Sequence, residues 1–315
     1  VPKQGRPGFK KPLIIVGVIA LFLVGFLAGP VGKSIFGDVG LPNWLSVSQP
    51  HPELPPEVVF HLFGFPITNT VISAWLTIIV VAGFSFAVTR RLRLIPKKLQ
   101  ALLEFILGSL MDLCQNVAGD QNGRRFFPIV ATIFLFVMFN GWLSLFPGFG
   151  SILVHTAEGE VHLLRSANTD INLPLSIAIV SFLAVGFFGF KSLGPGYLTK
   201  FINVGQFLAG LGQLGRGKLG AGMNGIFLGA INMFIGLIHL LSEFVRIISF
   251  TLRLFGNMTA GEILLLMVTF LVPFLAALPF YGLELLVGFV QALIFGMLTL
   301  IFLTLAVVSH GDESH

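Results

Sequence analysis

Residues 249–262 read Ser249-Phe-Thr-Leu-Arg253-Leu-Phe-Gly-Asn257-Met-Thr-Ala-Gly261-Glu262, inside a run from 225 to 272 that contains no proline. Both flanks are rich in Leu, Ile, Phe and Val, so these polar residues lie at membrane depth. An uncompensated guanidinium there costs several kcal/mol, about 2.5 on insertion scales. Either charge inside the membrane is the function, or a buried partner neutralises it. As a helix the run would be about 72 Å long, against a hydrocarbon core of about 30 Å. It must break, protrude or lie steeply tilted. Pro273 and Pro279 then bracket a turn, and a run from Phe280 to Ser309 follows. The economical reading is a tilted hairpin over about 225–309, with a broad face left for a partner subunit.

The rest of the chain agrees with a lipid setting. It is 55% hydrophobic and 10% charged, with a mean hydropathy of +0.93, whereas soluble domains carry about 25% charged residues. Continuous apolar runs exclude a β-barrel, whose strands alternate. The predicted fold is an all-α polytopic membrane protein of about six membrane helices, with a cytoplasmic amphipathic helix besides. The net charge of +5 does not indicate nucleic acid, because Lys and Arg cluster at the ends of apolar runs. The single cysteine, Cys114, excludes an intrachain disulfide and a Cys-rich metal site. No cofactor or metal is expected.

Residues 1–30 form a basic N-terminus (Lys3, Arg6, Lys10, Lys11) and an apolar run at 13–29. That run is either a signal-peptide core or a retained signal-anchor helix; Ala28-Gly29-Pro30 lacks a clean cleavage site, which favours the anchor. Residues 31–66 read as an exported Pro-rich loop, and 67–315 as the membrane domain. A span over 67–89 stops at Arg90-Arg91-Leu-Arg93. Residues 98–118 suit a helix lying on the cytoplasmic surface. Further spans cover about 127–146, after Arg124-Arg125, and 172–190, before Lys191. The 192–224 segment is Gly-rich and basic. Fifteen Lys and Arg fall in the segments assigned to the cytoplasm and two, Lys33 and Arg165, in exported loops. This bias sets the orientation, with both termini cytoplasmic.

At 100° per residue, Ser242, Arg246, Ser249, Arg253 and Asn257 share one stripe. Small polar residues often only pack helices together, which accounts for the serines and Asn257 but not for Arg253. Glu262 lies about 13.5 Å further along and half a turn round, so it cannot pair with Arg253 through the same face. Glu284 and Gln291, seven apart, share a face of the last helix. A hairpin folding at 273–279 would make Glu262 and Glu284 near neighbours. Carboxylates so placed can exchange protons, as an aqueous half-channel requires, or they form a structural pair. His239, Glu243 and Arg246 are at pairing distances along a helix, as a headgroup ion-pair cluster or a channel mouth. Asp170 and Asn172 either line an exported vestibule or cap a helix.

The run Ser249…Arg253-Leu-Phe-Gly-Asn257-Met…Ala-Gly-Glu262 resembles the signature of subunit a of F-type ATP synthases. The likeness includes Pro66-Ile-Thr-Asn-Thr70, Asn140 with Pro147, Asp170-Ile-Asn172…Ser176 and Gln291, and covers about 57–309. The run at 13–29 departs from the commonest five-helix pattern. The resemblance implies a non-catalytic stator subunit of a rotary ATP synthase in a bacterial plasma membrane. Its partners would be a c-ring of proteolipid hairpins, b-type peripheral stalk subunits and the rest of the complex. Arg253 would be the essential charge facing the c-ring carboxylate and separating two half-channels. Asn257, Glu262, Glu284, Gln291, Asp170 and Asn172 would belong to the exported half-channel, with Glu284 where many members have histidine. Ser249, Ser242, His239 and Glu243 would belong to the cytoplasmic one. A secondary ion-coupled transporter would show internal repeats, and none is found. A membrane hydrolase built on Ser151 would need an activating histidine in a neighbouring span, and none is present.

Overall fold

The computed structural model describes residues 10–37, 49, 55–90, 98–146, 148–156, 159–199, 205, 208–209, 211–212 and 219–307. Outside the described residues lie the basic residues of 1–9, most of the 38–54 loop, Arg91, Arg93 and Lys97, Pro147 and Glu158. The basic residues Lys200, Arg216 and Lys218 and the end of the last run at Ser309 also lie outside them.

The described chain is mostly helical. In order it forms α1 (Lys10–Ala28), α2 (Pro30–Phe36), β1 (Val58–Leu62), β2 (Phe65–Thr68), α3 (Asn69–Thr89), α4 (Lys98–Ser144), β3 (Leu153–Thr156), β4 (Gly159–His162), α5 (Asn172–Leu193), α6 (Gly196–Thr199), α7 (Leu219–Leu271) and α8 (Leu278–Val307). Among the described residues, five helices are long and apolar enough to cross a membrane, or six if α1 and α2, bent by 77°, form one span. The polytopic all-α class holds.

The apolar runs become helices because lipid offers no partner for a bare peptide group. Two departures from the sequence reading have local causes. The surface helix and the third span form one element, α4, broken at Gly119 with φ 79° and ψ 164°. Only glycine adopts that backbone without strain, so a new helical segment begins at 120, and its polar first turns, Asp120 to Arg125, lead into the apolar run from Phe126. The loops expected around 58–68 and 153–162 are antiparallel hairpins. In the first, Phe63 and Gly64 both take positive φ, the geometry of a tight two-residue turn.

The chain folds as two compact units. One comprises Val1–Ser73, Asn140–Asp170 and Gly256–Val290. Here the end of α1 docks on the turn between α7 and α8: a side chain at Gly25 or Gly29 would run into the carbonyl of Pro273 or Leu271. Trp142 donates its indole N–H to the Leu285 carbonyl at 3.0 Å. The other unit comprises Ala74–Phe139, Ile171–Phe255 and Gln291–His315. Its core is Phe126, Val130, Phe134, Val137, Leu254, Leu300 and Leu303, all buried. Ser181 and Thr299 bond at 2.8 Å, and Phe250 packs on Phe295 with ring centroids 4.9 Å apart.

Gly29→Val should cost about 1–3 kcal/mol through overpacking against Leu271. It should lower the thermal midpoint of the detergent-purified protein. Gly17→Val on α1, where nothing lies within 4 Å, should leave the midpoint unchanged; equal midpoints would refute the contact at the end of α1.

Candidate functional site

Two arginines seven residues apart on α7 have opposite surroundings. Arg246 donates through Nη1 to Glu243 Oε2 at 2.6 Å, and its guanidinium stacks 3.5 Å from the centroid of the Phe302 ring. Glu243 is buried. A paired, stacked guanidinium is well accommodated, the ring adding about 0.5–2 kcal/mol. Tyr197 on α6 lies against Gly189. Burial first, and then the Glu243 charge, push its phenol above the ordinary value, while Arg246 opposes the rise. The i, i+3 spacing of Glu243 and Arg246 therefore makes a close ion pair.

Arg253 is half-buried, beside fully buried Leu254. Among the described residues it has no ion pair, hydrogen bond or ring contact. Ser242 and Ser249 are exposed and His239 is half-buried. The stripe thus runs along the margin of the buried face of this part of α7: Ser242 and Ser249 are exposed beside Leu241, Val245, Ile248 and Leu252, whereas Arg246 and Arg253 are half-buried beside Phe250 and Leu254. Glu243 stands off the stripe and turns inward. Gln291, in the same unit on α8, is buried. Asn172, the first residue of α5, is exposed, and the cap position before it is Ile171, which makes no side-chain capping bond.

A polar cluster occupies the other unit. Thr70 donates to Asp170 Oδ2 at 2.8 Å, and Asp170 is only 5% exposed. Thr68 and Thr70 share a 2.8 Å hydroxyl bond. Glu57 Oε2 accepts from the Asn69 amide and the His162 backbone N–H, both at 3.2 Å. Ser73 Oγ accepts from the Arg165 backbone N–H at 3.1 Å. Arg165 Nη1 donates to the Pro55 carbonyl at 2.9 Å, and its Nε stands 3.7 Å from Glu262 Oε1. Glu284 is buried, with its carboxylate seated against Gly261, so only a residue lacking a side chain fits before Glu262. Asn257 is exposed.

This unit therefore gathers the carboxylates of Glu57, Asp170, Glu262 and Glu284 with the hydroxyls of Thr68, Thr70 and Ser73, groups that accept or pass a proton. Asn140 Nδ2, both polar side-chain atoms of Asn168, Thr259 Oγ1 and Glu262 Oε2 are buried without a protein partner among the described residues. Buried polar atoms of this kind are unusual and need a role. Sequence reasoning missed Glu57, Asn69, Asn168, Arg165 and Tyr197 as site residues. Two signals were present: Thr68-Asn69-Thr70 opens an otherwise apolar run, and Arg165 is the one basic residue other than histidine between 126 and 190.

Comparison with known proteins adds an independent line. A family profile described as "ATP synthase A chain" matches residues 71–304. "ATP synthase subunit a 1" of Pelobacter propionicus is 33% identical over 235 residues, 75% of this chain and 86% of its own. "ATP synthase subunit a" of Gloeobacter violaceus is 30% identical over 245 residues, 78% and 86%. That of Moorella thermoacetica is 27% identical over 256 residues, 81% and 98%.

Thr70→Val should leave Asp170 buried without its hydroxyl donor, costing about 1–3 kcal/mol. The unfolding midpoint in detergent should fall, and Thr70→Ser should restore most of it.

Proposed function

Because the chain belongs to the ATP synthase A chain family, and so to a membrane-sector, proton-translocating subunit, we propose that it forms two aqueous half-channels beside a rotating ring of carboxylate-bearing subunits. Arg253 separates the two paths. The contrast between the arginines of α7 carries this reading. Arg246 is neutralised within its own chain by Glu243 and stacked on Phe302, whereas Arg253 meets no carboxylate among the described residues. Its counter-charge then belongs to another subunit, one that meets α7 along the polar stripe. A cation at that point favours the ionised form of a passing carboxylate and so promotes proton release. A guanidinium stays charged and is a poor relay, so it also blocks a leak between the paths.

On the exported side, Asp170, Asn172, Asn257, Glu262, Glu284 and Gln291 form the inlet. The buried, unpartnered polar atoms near 140, 168, 259 and 262 support it, since bridging waters satisfy such groups. On the cytoplasmic side, Ser242, Ser249, His239 and Glu243 form the outlet, and the Glu243–Arg246 pair stands at its mouth. The assembly belongs in a bacterial plasma membrane, with b-type stalk subunits holding the stator. A transmembrane potential supplies about 2.3 kcal/mol per charge per 100 mV, and several transfers per turn drive synthesis in the soluble head.

Reconstituted complexes carrying Arg253→Ala should lose coupled ATP synthesis while the detached head still hydrolyses ATP; retained synthesis would overturn the reading. Glu262→Gln and Glu284→Gln, made separately, should each slow proton flow through the membrane sector with assembly intact. Normal flow in both would reduce these carboxylates to packing residues.

A further inference from the structure

The Arg165–Glu262 contact ties an outer loop to the helix that carries the proposed inlet. Arg165 lies just after β4, and its guanidinium is held before it meets the carboxylate. Its backbone N–H is fixed by Ser73 Oγ, and its Nη1 by the Pro55 carbonyl. The chain beside Pro55 is itself anchored. Asn69 N–H donates to the Glu57 carbonyl at 3.0 Å, and the Glu57 side chain bonds the Asn69 amide and the His162 backbone. A planar fork gripped this way cannot turn aside without giving up the Pro55 bond.

Glu262 presents its two oxygens differently. Oε1 faces Arg165 Nε at 3.7 Å, an ion-pair separation rather than a hydrogen bond. Oε2 is shut from solvent with no partner among the described residues. The Arg165 side chain is 13% exposed and that of Glu262 32%, so the attraction is only partly screened. Another charged group packed nearby is Glu284, whose carboxylate lies against Gly261. One oxygen is therefore held by a fixed cation while the other is turned inward.

Resting on the function proposed above, we propose that Arg165 is the positioning residue for Glu262. It fixes which carboxylate oxygen is offered to the proton path, so the outer loops, as well as α7, aim the inlet. A merely structural arginine would act independently of the carboxylate, and a double-mutant cycle separates the two cases.

Passive proton conduction is measured in membrane vesicles holding the full complex after release of the soluble head, and is scaled to the amount of complex assembled. Arg165→Gln should lower conduction about tenfold, the scale of losing one charged contact. Arg165→Lys, which keeps the charge without the fork, should fall between Gln and wild type. In a Glu262→Gln background neither substitution should lower conduction further. Losses that multiply in that background would overturn the proposal, as would wild-type conduction by Arg165→Gln. If Arg165→Gln does not assemble, Arg165→Lys is read in the same cycle, with the same outcomes deciding. Wild-type conduction by Glu262→Gln alone would instead remove the inlet reading on which the proposal rests.

Discussion

A charged group in an apolar medium must be neutralised, and this constraint organises the chain. The helices themselves answer the same demand for the backbone, pairing every interior peptide group within one segment. The charges that remain are few, and each has a specific setting. Glu243 and Arg246 neutralise each other under the Phe302 ring. Arg165 meets Glu262 beneath a network of loop hydrogen bonds. Asp170 is buried against the Thr70 hydroxyl. Arg253 alone among these has no such answer among the described residues, and that imbalance directs attention outward to a second subunit.

The two units meet the constraint with different materials. The unit holding Glu262 and Glu284 is rich in loops, hairpins and side-chain hydrogen bonds. It can host several carboxylates because hydroxyls and amides are close at hand. The unit holding Arg253 is a hydrocarbon core of Phe, Leu and Val with isolated polar bonds such as Ser181–Thr299. On its α7, Ser242 and Ser249 are exposed, while Glu243 and Arg246 close on each other. A many-stepped proton path suits the first arrangement, and a single fixed charge suits the second.

The spans were legible because a run of apolar residues in lipid has one stable backbone, and mean composition alone reports it. Arg253, Glu262 and Glu284 stood out for the same reason: charge is rare in such runs. Pairings were less legible. The Glu243–Arg246 contact followed from helical spacing, but the stacking of Phe302 depends on which face of α8 packs there, and periodicity along one helix does not specify that. Arg165 and Glu57 were hidden because they lie in loops whose partners are about a hundred residues away. The hairpins at 58–68 and 153–162 were passed over because turn residues, not hydropathy, mark them. Gly119 was legible only as a glycine, since nothing in its neighbours says that the helix must break there.

The Phe302 stack has a consequence for α7 as a rod. Arg246 and Arg253 are seven residues apart, about 20° short of two full turns, so their directions are nearly locked together. Rolling the helix about its axis by some 30° would move a group at its outer radius of roughly 5–6 Å by about 3 Å. That is enough to carry the Arg246 guanidinium off the ring. The stacked arginine thus serves as an index mark for the whole helix. It sets the heading of α7, and with it the direction in which Arg253 points.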